Sequence, residues 1–263
     1  MAGNRIKLWE KHIPFYDESI GQMPEIEPYL VENPKACILV IPGGGYTWLA
    51  YEHEGIRVAE EFNRRGFSAF ILTYRIKPYK HPIPLTDGLR AIRVIRSLAD
   101  KYGYDQNKIA VVGFSAGGHL TASLATMFDR ELPKVDEIDE FSSRPDLAML
   151  SYAVIDYVDY PHKSSARYMI GENVSAYRRA EFSPNYNVSD NTPPTFIWHT
   201  EEDSLVSLDH PIKMAEALFA KKVPCELHIF PYGDHGLGIG ANDPYNGRWV
   251  DLAEAFMKKY LNF

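Results

Sequence analysis

The chain has 263 residues, 45% of them hydrophobic and 24% charged, with 18 glycines, 18 prolines and a formal net charge of −7. That composition excludes a low-complexity or disordered chain, and the acidic balance argues against nucleic acid as a partner. With only Cys37 and Cys225, a disulfide framework is excluded, and apolar runs as short as "ACILVI" cannot span a bilayer.

The N-terminal stretch "MAGNRIKLWEKHIPFYDESIG" holds no continuous apolar leader, so a cytoplasmic protein without a membrane partner is expected. Up to Cys37, the proline-dotted sequence predicts one or two antiparallel edge strands. Six β-rich runs follow: "ACILVIP" from 36, "SAFILTY" from 68, "KIAVVGF" from 108, "LAMLSYAV" from 147, "PTFIWHT" from 194 and "CELHIFP" from 225. Their largely unbroken apolar character predicts strands buried on both faces. Between them, Leu85, Leu89, Ile92, Ile95, Leu98 and Tyr102 recur at helical spacing, as do Ile212, Ala215, Leu218 and Phe219. Arg90, Arg93 and Arg96, spaced by three, are expected on the solvated side of the first of these helices and are assigned no function. The alternation predicts one α/β domain over 1–263, a doubly wound, mostly parallel sheet. Residues 155–192, carrying Tyr157, Tyr160, Tyr168, Tyr177 and Tyr186, break that rhythm and are expected to form a cap or lid inserted over the sheet.

Chemistry concentrates in "VVGFSAGGHL", where Ser115 stands between Gly113 and Gly117 after a strand-like run and before the helix-forming "HLTASLATMF". A strand, a tight turn and a helix are what a nucleophile elbow demands, since a strained turn leaves little room for Cβ atoms. Ser115 alone could simply cap the helix. A serine hydroxyl needs a base to become a nucleophile, and the base needs a carboxylate to hold its tautomer. His235, between Gly233 and Gly236 after the last strand, supplies the first. Glu201, Glu202 and Asp203 follow "FIWHT", and Asp203, deepest in that loop, is the expected acid, with Glu202 the rival. Asp234, adjacent to the histidine, is expected to shape the turn. The run "VIPGGGYTW" offers Gly44 and Gly45 N–H which, with Ala116 N–H, make the expected oxyanion hole. A phosphate-binding loop would need Gly-Lys followed by Ser or Thr, which is absent.

Together "PGGGYTWLAYEHEG", "LTYRIKP", "GFSAGGHLTASLA", "WHTEEDSLV" and "HIFPYGDHGLG" resemble an α/β-hydrolase esterase of the acetylxylan-esterase and feruloyl-esterase-like group, related to hormone-sensitive-lipase-type carboxylesterases. Where the lipase type reads "HGGG", this chain has Pro42 in place of the histidine. The resemblance implies a serine esterase that needs no metal or cofactor and acts through an acyl-enzyme on Ser115. The implied substrates are short acyl esters, chiefly acetyl groups on xylo-oligosaccharides or other sugars, with Tyr46, Trp48 and the tyrosines of 155–192 as candidates for stacking on sugar rings. An aryl-formamidase and a small-molecule receptor on a hydrolase fold stay open. A prolyl-oligopeptidase-type peptidase is disfavoured because such enzymes carry a large additional domain.

Overall fold

The computed structural model describes residues 3–131, 133–160, 162–240 and 243–263, so Pro161 of the 155–192 segment lies outside the described residues. Eight strands form one sheet: β1 (Ile6–Lys7), β2 (Glu25–Tyr29), β3 (Cys37–Ile41), β4 (Ser68–Thr73), β5 (Ile109–Phe114), β6 (Leu147–Ser151), β7 (Thr195–Thr200) and β8 (Cys225–Phe230). Their spatial order is β1-β2-β4-β3-β5-β6-β7-β8. The first three in space pair antiparallel and the rest are parallel. Each of the six apolar runs is thus a strand, and the N-terminal edge pair is antiparallel, as the sequence led us to expect. β8 departs from the pattern, because as the outer strand it is only partly buried.

Nine α-helices lie among the described residues: α1 (Arg57–Arg64), α2 (Ile83–Ser97), α3 (Ala99–Tyr102), α4 (Ala116–Thr126), α5 (Lys163–Ile170), α6 (Ala176–Glu181), α7 (Asp209–Ala220), α8 (Pro244–Gly247) and α9 (Trp249–Leu261). None is long and apolar enough to cross a membrane. Strand residues alternate between two cores. Leu39, Ile41 and Val111 pack with Leu89, Ile92, Leu120 and Leu124 of α2 and α4. Ile38, Val40, Ala110 and Val112 pack on the other face with Phe62 of α1 and Trp249 and Phe256 of α9. A strand whose successive side chains must all be buried has to be apolar throughout, which is why these runs do not alternate with polar residues.

The arginines of α2 correct the sequence reading. Arg90 is only 2% exposed and Arg96 only 6%. Arg90 grips Asp136 through both terminal nitrogens, each at 2.7 Å, and donates to the Leu8 carbonyl at 2.8 Å. Arg96 pairs with Asp146 at 3.2 Å and donates to the Ser142 and Arg144 carbonyls and to Gln106. Arg93, also turned to this side, reaches Asp139 at 3.1 Å. The segment 136–146 covers this side of α2 with carboxylates, so the basic row is an internal ion-pair ladder rather than a wet face.

Between β6 and β7, residues 155–192 contain α5, α6 and the short turn Pro184–Asn187. Three histidines tie this segment to α4, to α7 and to the loop before α2. His119 of α4 donates from Nε2 to the Phe182 carbonyl (2.8 Å), His81 packs on the Phe182 ring (4.3 Å between centroids), and His210 Nδ1 accepts the Ile155 and Asp156 N–H groups (3.0 Å each). Burial lowers all three: His119 to about 4, and His81 and His210 to about 3, with Arg130 and Arg178 adding to the effect on His81, and His199 and His162 to that on His210, against Asp209. An imidazole kept neutral by folding binds fewer protons than its unfolded counterpart near 6.5. Its stabilisation is therefore complete above that pH and is lost as pH falls towards the folded values, about 4 for His119 and about 3 for His81 and His210. From pH 7.5 to 5.5 each histidine should cost about 1 kcal/mol, and the thermal midpoint should drop on the order of 5 °C. A midpoint unchanged over that interval would refute the assignment.

Candidate functional site

Strand register places the parts of the site at one edge of the sheet. Ile41 pairs with Gly113 and Phe114 with Ser151, so the glycine turn after β3, Ser115 after β5 and Tyr152 after β6 leave neighbouring strands at one level. β3 and β5 lie where the chain order reverses, and the loops at their carboxyl ends diverge to leave a crevice.

The elbow around Ser115 is sterically enforced. A Cβ on Gly113 would stand 2.1 Å from Thr121 Oγ1, and one on Gly117 would stand 2.2 Å from the Ile41 carbonyl. Ser115 itself adopts φ 53°, ψ −118°, a conformation rare outside glycine, and its side chain does not cap α4. Its Oγ instead lies 2.8 Å from His235 Nε2. His235 Nδ1 lies 2.7 Å from Asp203 Oδ2. These partners fix the tautomer: Ser115 O–H donates to Nε2, and Nδ1–H donates to the carboxylate.

Asp203 is held at both ends. Its Oδ1 accepts the Leu205 and Val206 N–H groups at 2.9 and 2.8 Å. Its Oδ2 is also 3.3 Å from Nε2 of His199, a fully buried residue at the end of β7 that donates to the Val206 carbonyl. Burial by itself would raise the Asp203 carboxyl, but hydrogen bonds from His199 and His235 outweigh it and hold the group well below the usual carboxylate range. Glu202 faces elsewhere, accepting from Gly233 N–H at 2.9 Å. Asp234 binds the Ser204 N–H and hydroxyl and its neighbour's N–H, a turn-shaping arrangement.

In the glycine turn, Gly43 N–H is taken by Glu54 Oε2 at 2.8 Å, while Gly44 and Gly45 N–H meet no acceptor among the described residues. Gly44, at φ +120°, has Trp48 O only 2.1 Å from where its Cβ would stand, so no side chain fits. Ala116 opens α4, and its N–H has no carbonyl one turn back within the helix. A cavity of about 390 Å³ exposes Ser115 and His235 together with Gly44, Gly45, Trp48, His162, Tyr168 and Leu205.

One expected substrate contact is corrected. Tyr46 does not reach this cavity: it is 1% exposed, and its hydroxyl donates to His119 Nδ1 at 2.7 Å, beneath the glycine turn. Trp48 does reach it and is 57% exposed. Of the tyrosines in 155–192, Tyr168 lines the cavity, Tyr157 is buried, and Tyr177 and Tyr186 face solvent. Three residues at the site escaped the sequence reading: His199, Glu54 and His162. Each lay inside or beside a noted segment, but a histidine in an apolar strand or a glutamate before a helix carries no local mark of its use.

Comparison with known proteins gives this geometry its relatives. Over 251 residues the chain is 41% identical to endo-1,4-beta-xylanase B of Butyrivibrio fibrisolvens, covering 93% of this chain and 39% of that protein. It is 31% identical over 237 residues to the acetylxylan esterase of Xylanibacter ruminicola, covering 84% of this chain and 47% of that protein. The chain thus spans less than half the length of either relative. The crystal structure of an acetyl ester-xyloside bifunctional hydrolase from Caldicellulosiruptor lactoaceticus aligns with a TM-score of 0.93 at 42% identity, over 98% of this chain and 96% of that one. Residues 26–218 match the family profile described as BD-FAE. With the mostly parallel sheet and the loops that converge at its edge, these matches show that the chain belongs to the BD-FAE family, among the α/β-hydrolase esterases.

Proposed function

We propose that this chain is a serine esterase that removes short acyl groups, chiefly acetyl, from xylo-oligosaccharides or related sugars through an acyl-enzyme on Ser115. The observation that carries this reading is the hydrogen-bonded chain from Ser115 through His235 to Asp203, open to a cavity beside unpaired backbone N–H groups. The names of the xylan-degrading relatives support the substrate class.

In this mechanism His235 Nε2 takes the Ser115 proton as Oγ attacks the ester carbonyl. Asp203 holds the resulting imidazolium at Nδ1. Gly44, Gly45 and Ala116 N–H stabilise the tetrahedral oxyanion. The imidazolium then protonates the departing sugar oxygen, which leaves as a hydroxyl, and water, deprotonated by His235, releases the acid from Ser115. None of these steps calls on a cofactor. Trp48 and Tyr168 wall the cavity with aromatic surface of the kind that stacks on sugar rings. Both thiols are unpaired, which fits a reducing compartment such as the cytoplasm.

Acetate release from acetylated xylo-oligosaccharides tests the reading, with Asp203→Asn run beside Glu202→Gln. Asp203→Asn is expected to lower kcat about 10³- to 10⁴-fold by removing the acceptor that selects the productive tautomer. Glu202→Gln retains an acceptor for Gly233 N–H and is expected to stay within about 3-fold of the parent. Loss confined to the Glu202 variant would overturn the acid assignment. Turnover of aryl formamides but not of acetyl esters would overturn the substrate class.

A further inference from the structure

Glu54 is a carboxylate at the floor of the cavity, only 2% exposed, yet it takes no part in the proton path just described. The one basic side chain within ion-pair range of it among the described residues is the partly exposed His53, at 3.7 Å. Burying a charge so weakly compensated is costly unless its oxygens are well occupied, and both are. Oε2 accepts Gly43 N–H at 2.8 Å and Oε1 accepts the Tyr152 hydroxyl at 2.7 Å. Tyr152 Oη in turn accepts Gly238 N–H at 2.9 Å.

These three bonds join parts of the site that are remote in sequence. Gly43 immediately precedes the two glycines whose N–H groups meet no acceptor among the described residues, and Gly238 lies three residues beyond His235. The link also passes close behind the nucleophile. A Cβ on Gly43 would stand 2.8 Å from Glu54 Oε2 and 3.0 Å from Ser115 Cβ, so the carboxylate and the serine flank one glycine. The Tyr152 ring meets His235 edge-on, with centroids 4.9 Å apart at 69°. Tyr152 also holds φ at +36°, a backbone state costly for a bulky residue and kept only where surroundings impose it. Trp198, edge-on at 5.2 Å, and Phe114 at 5.8 Å confine the ring.

We infer that Glu54 and Tyr152 are positioning residues. They form one brace that sets the spacing between the oxyanion donors of the glycine turn and the imidazole of His235. The inference rests on the mechanism proposed above. A charged acceptor suits the task, because hydrogen bonds to a carboxylate are shorter and stronger than those to a neutral oxygen. A reaction needing donors and base in fixed register loses up to about 10²-fold for a misplacement of about 1 Å.

Glu54→Gln and Tyr152→Phe preserve shape, and the test is their turnover of 4-nitrophenyl acetate per active site, with sites counted by covalent labelling with a fluorophosphonate. Each variant is expected to lose roughly 10- to 100-fold in kcat per labelled site, with KM within about 3-fold. The double variant should lose little more than the worse single one, because the two residues act in series. Unchanged kcat per labelled site in both variants would overturn the brace, whatever happened to their stability. So would a rise in KM alone, or losses that multiply in the double variant. Failure of the esterase reading would show differently, as a parent protein that neither turns over the ester nor takes the label.

Discussion

Ser115→Ala is expected to lower kcat/KM for an acetyl ester by about 10⁴- to 10⁶-fold while leaving the protein folded. The magnitude follows from what the hydroxyl does. On the proposed mechanism no acyl-enzyme forms without Oγ, and His235 Nε2 loses the hydroxyl that lies 2.8 Å from it and can at best recruit water. A residual rate above that in water is expected, because on the proposed mechanism the N–H groups of Gly44, Gly45 and Ala116 still face the oxyanion. The fold tolerates the change because alanine keeps the Cβ that the elbow already accommodates at φ 53°. Acetate release and fluorophosphonate labelling should vanish together while the unfolding transition stays put. A variant retaining a tenth of the parent rate would show that another group is the nucleophile.

Asp87→Ala is expected to destabilise the protein by about 3–5 kcal/mol, the range for stranding one half of a buried ion pair. Arg75 and Asp87 have no side-chain exposure, and Arg75 Nη2 lies 2.6 Å from Asp87 Oδ1. The carboxylate also accepts the Arg75 N–H at 2.8 Å, while Nη1 donates to the Pro14 carbonyl at 2.7 Å. Removing Asp87 leaves a buried guanidinium against Trp9 and Tyr79 without the carboxylate that pairs with it. The loss should appear as a lower denaturant midpoint at constant slope. Replacing both partners by apolar residues of similar volume, as in Arg75→Met with Asp87→Leu, should recover part of it. A loss below about 1 kcal/mol in the single variant would mean that solvent reaches Arg75.

The fold was largely legible because every central strand is buried on two faces, and a doubly buried strand has to be written in apolar residues. The strand that departs, β8, sits at the edge, a place in the sheet that its own residues do not reveal. The hydrogen-bonded residues Ser115, His235 and Asp203 were legible for a related reason: a serine between obligatory glycines and a histidine between flexible ones advertise turns that few other tasks require. What escaped depends on contacts between distant segments. Arg90 and Arg96 read as solvated because helical periodicity reports only the two sides of one helix. Their carboxylates, Asp136 and Asp146, arrive 46 and 50 residues later. Tyr46 sits beside Trp48 in the same turn, and nothing in the order of residues says that one ring points down onto His119 while the other points out. Glu54 and His199 become informative only once their hydrogen-bond partners are known.

The placement of the site also bears on how such a scaffold diversifies. Ser115, Asp203 and His235 hang from β5, β7 and β8, whereas the aromatic walls, Trp48 and Tyr168, belong to the connections β3–α1 and β6–β7. Ser115 and His235 share the cavity with these walls, but the two sets share no strand. Under the proposed function, chemistry and choice of ester are therefore separable: exchanges in the wall segments would alter which molecules enter while Ser115, Asp203 and His235 keep their spacing.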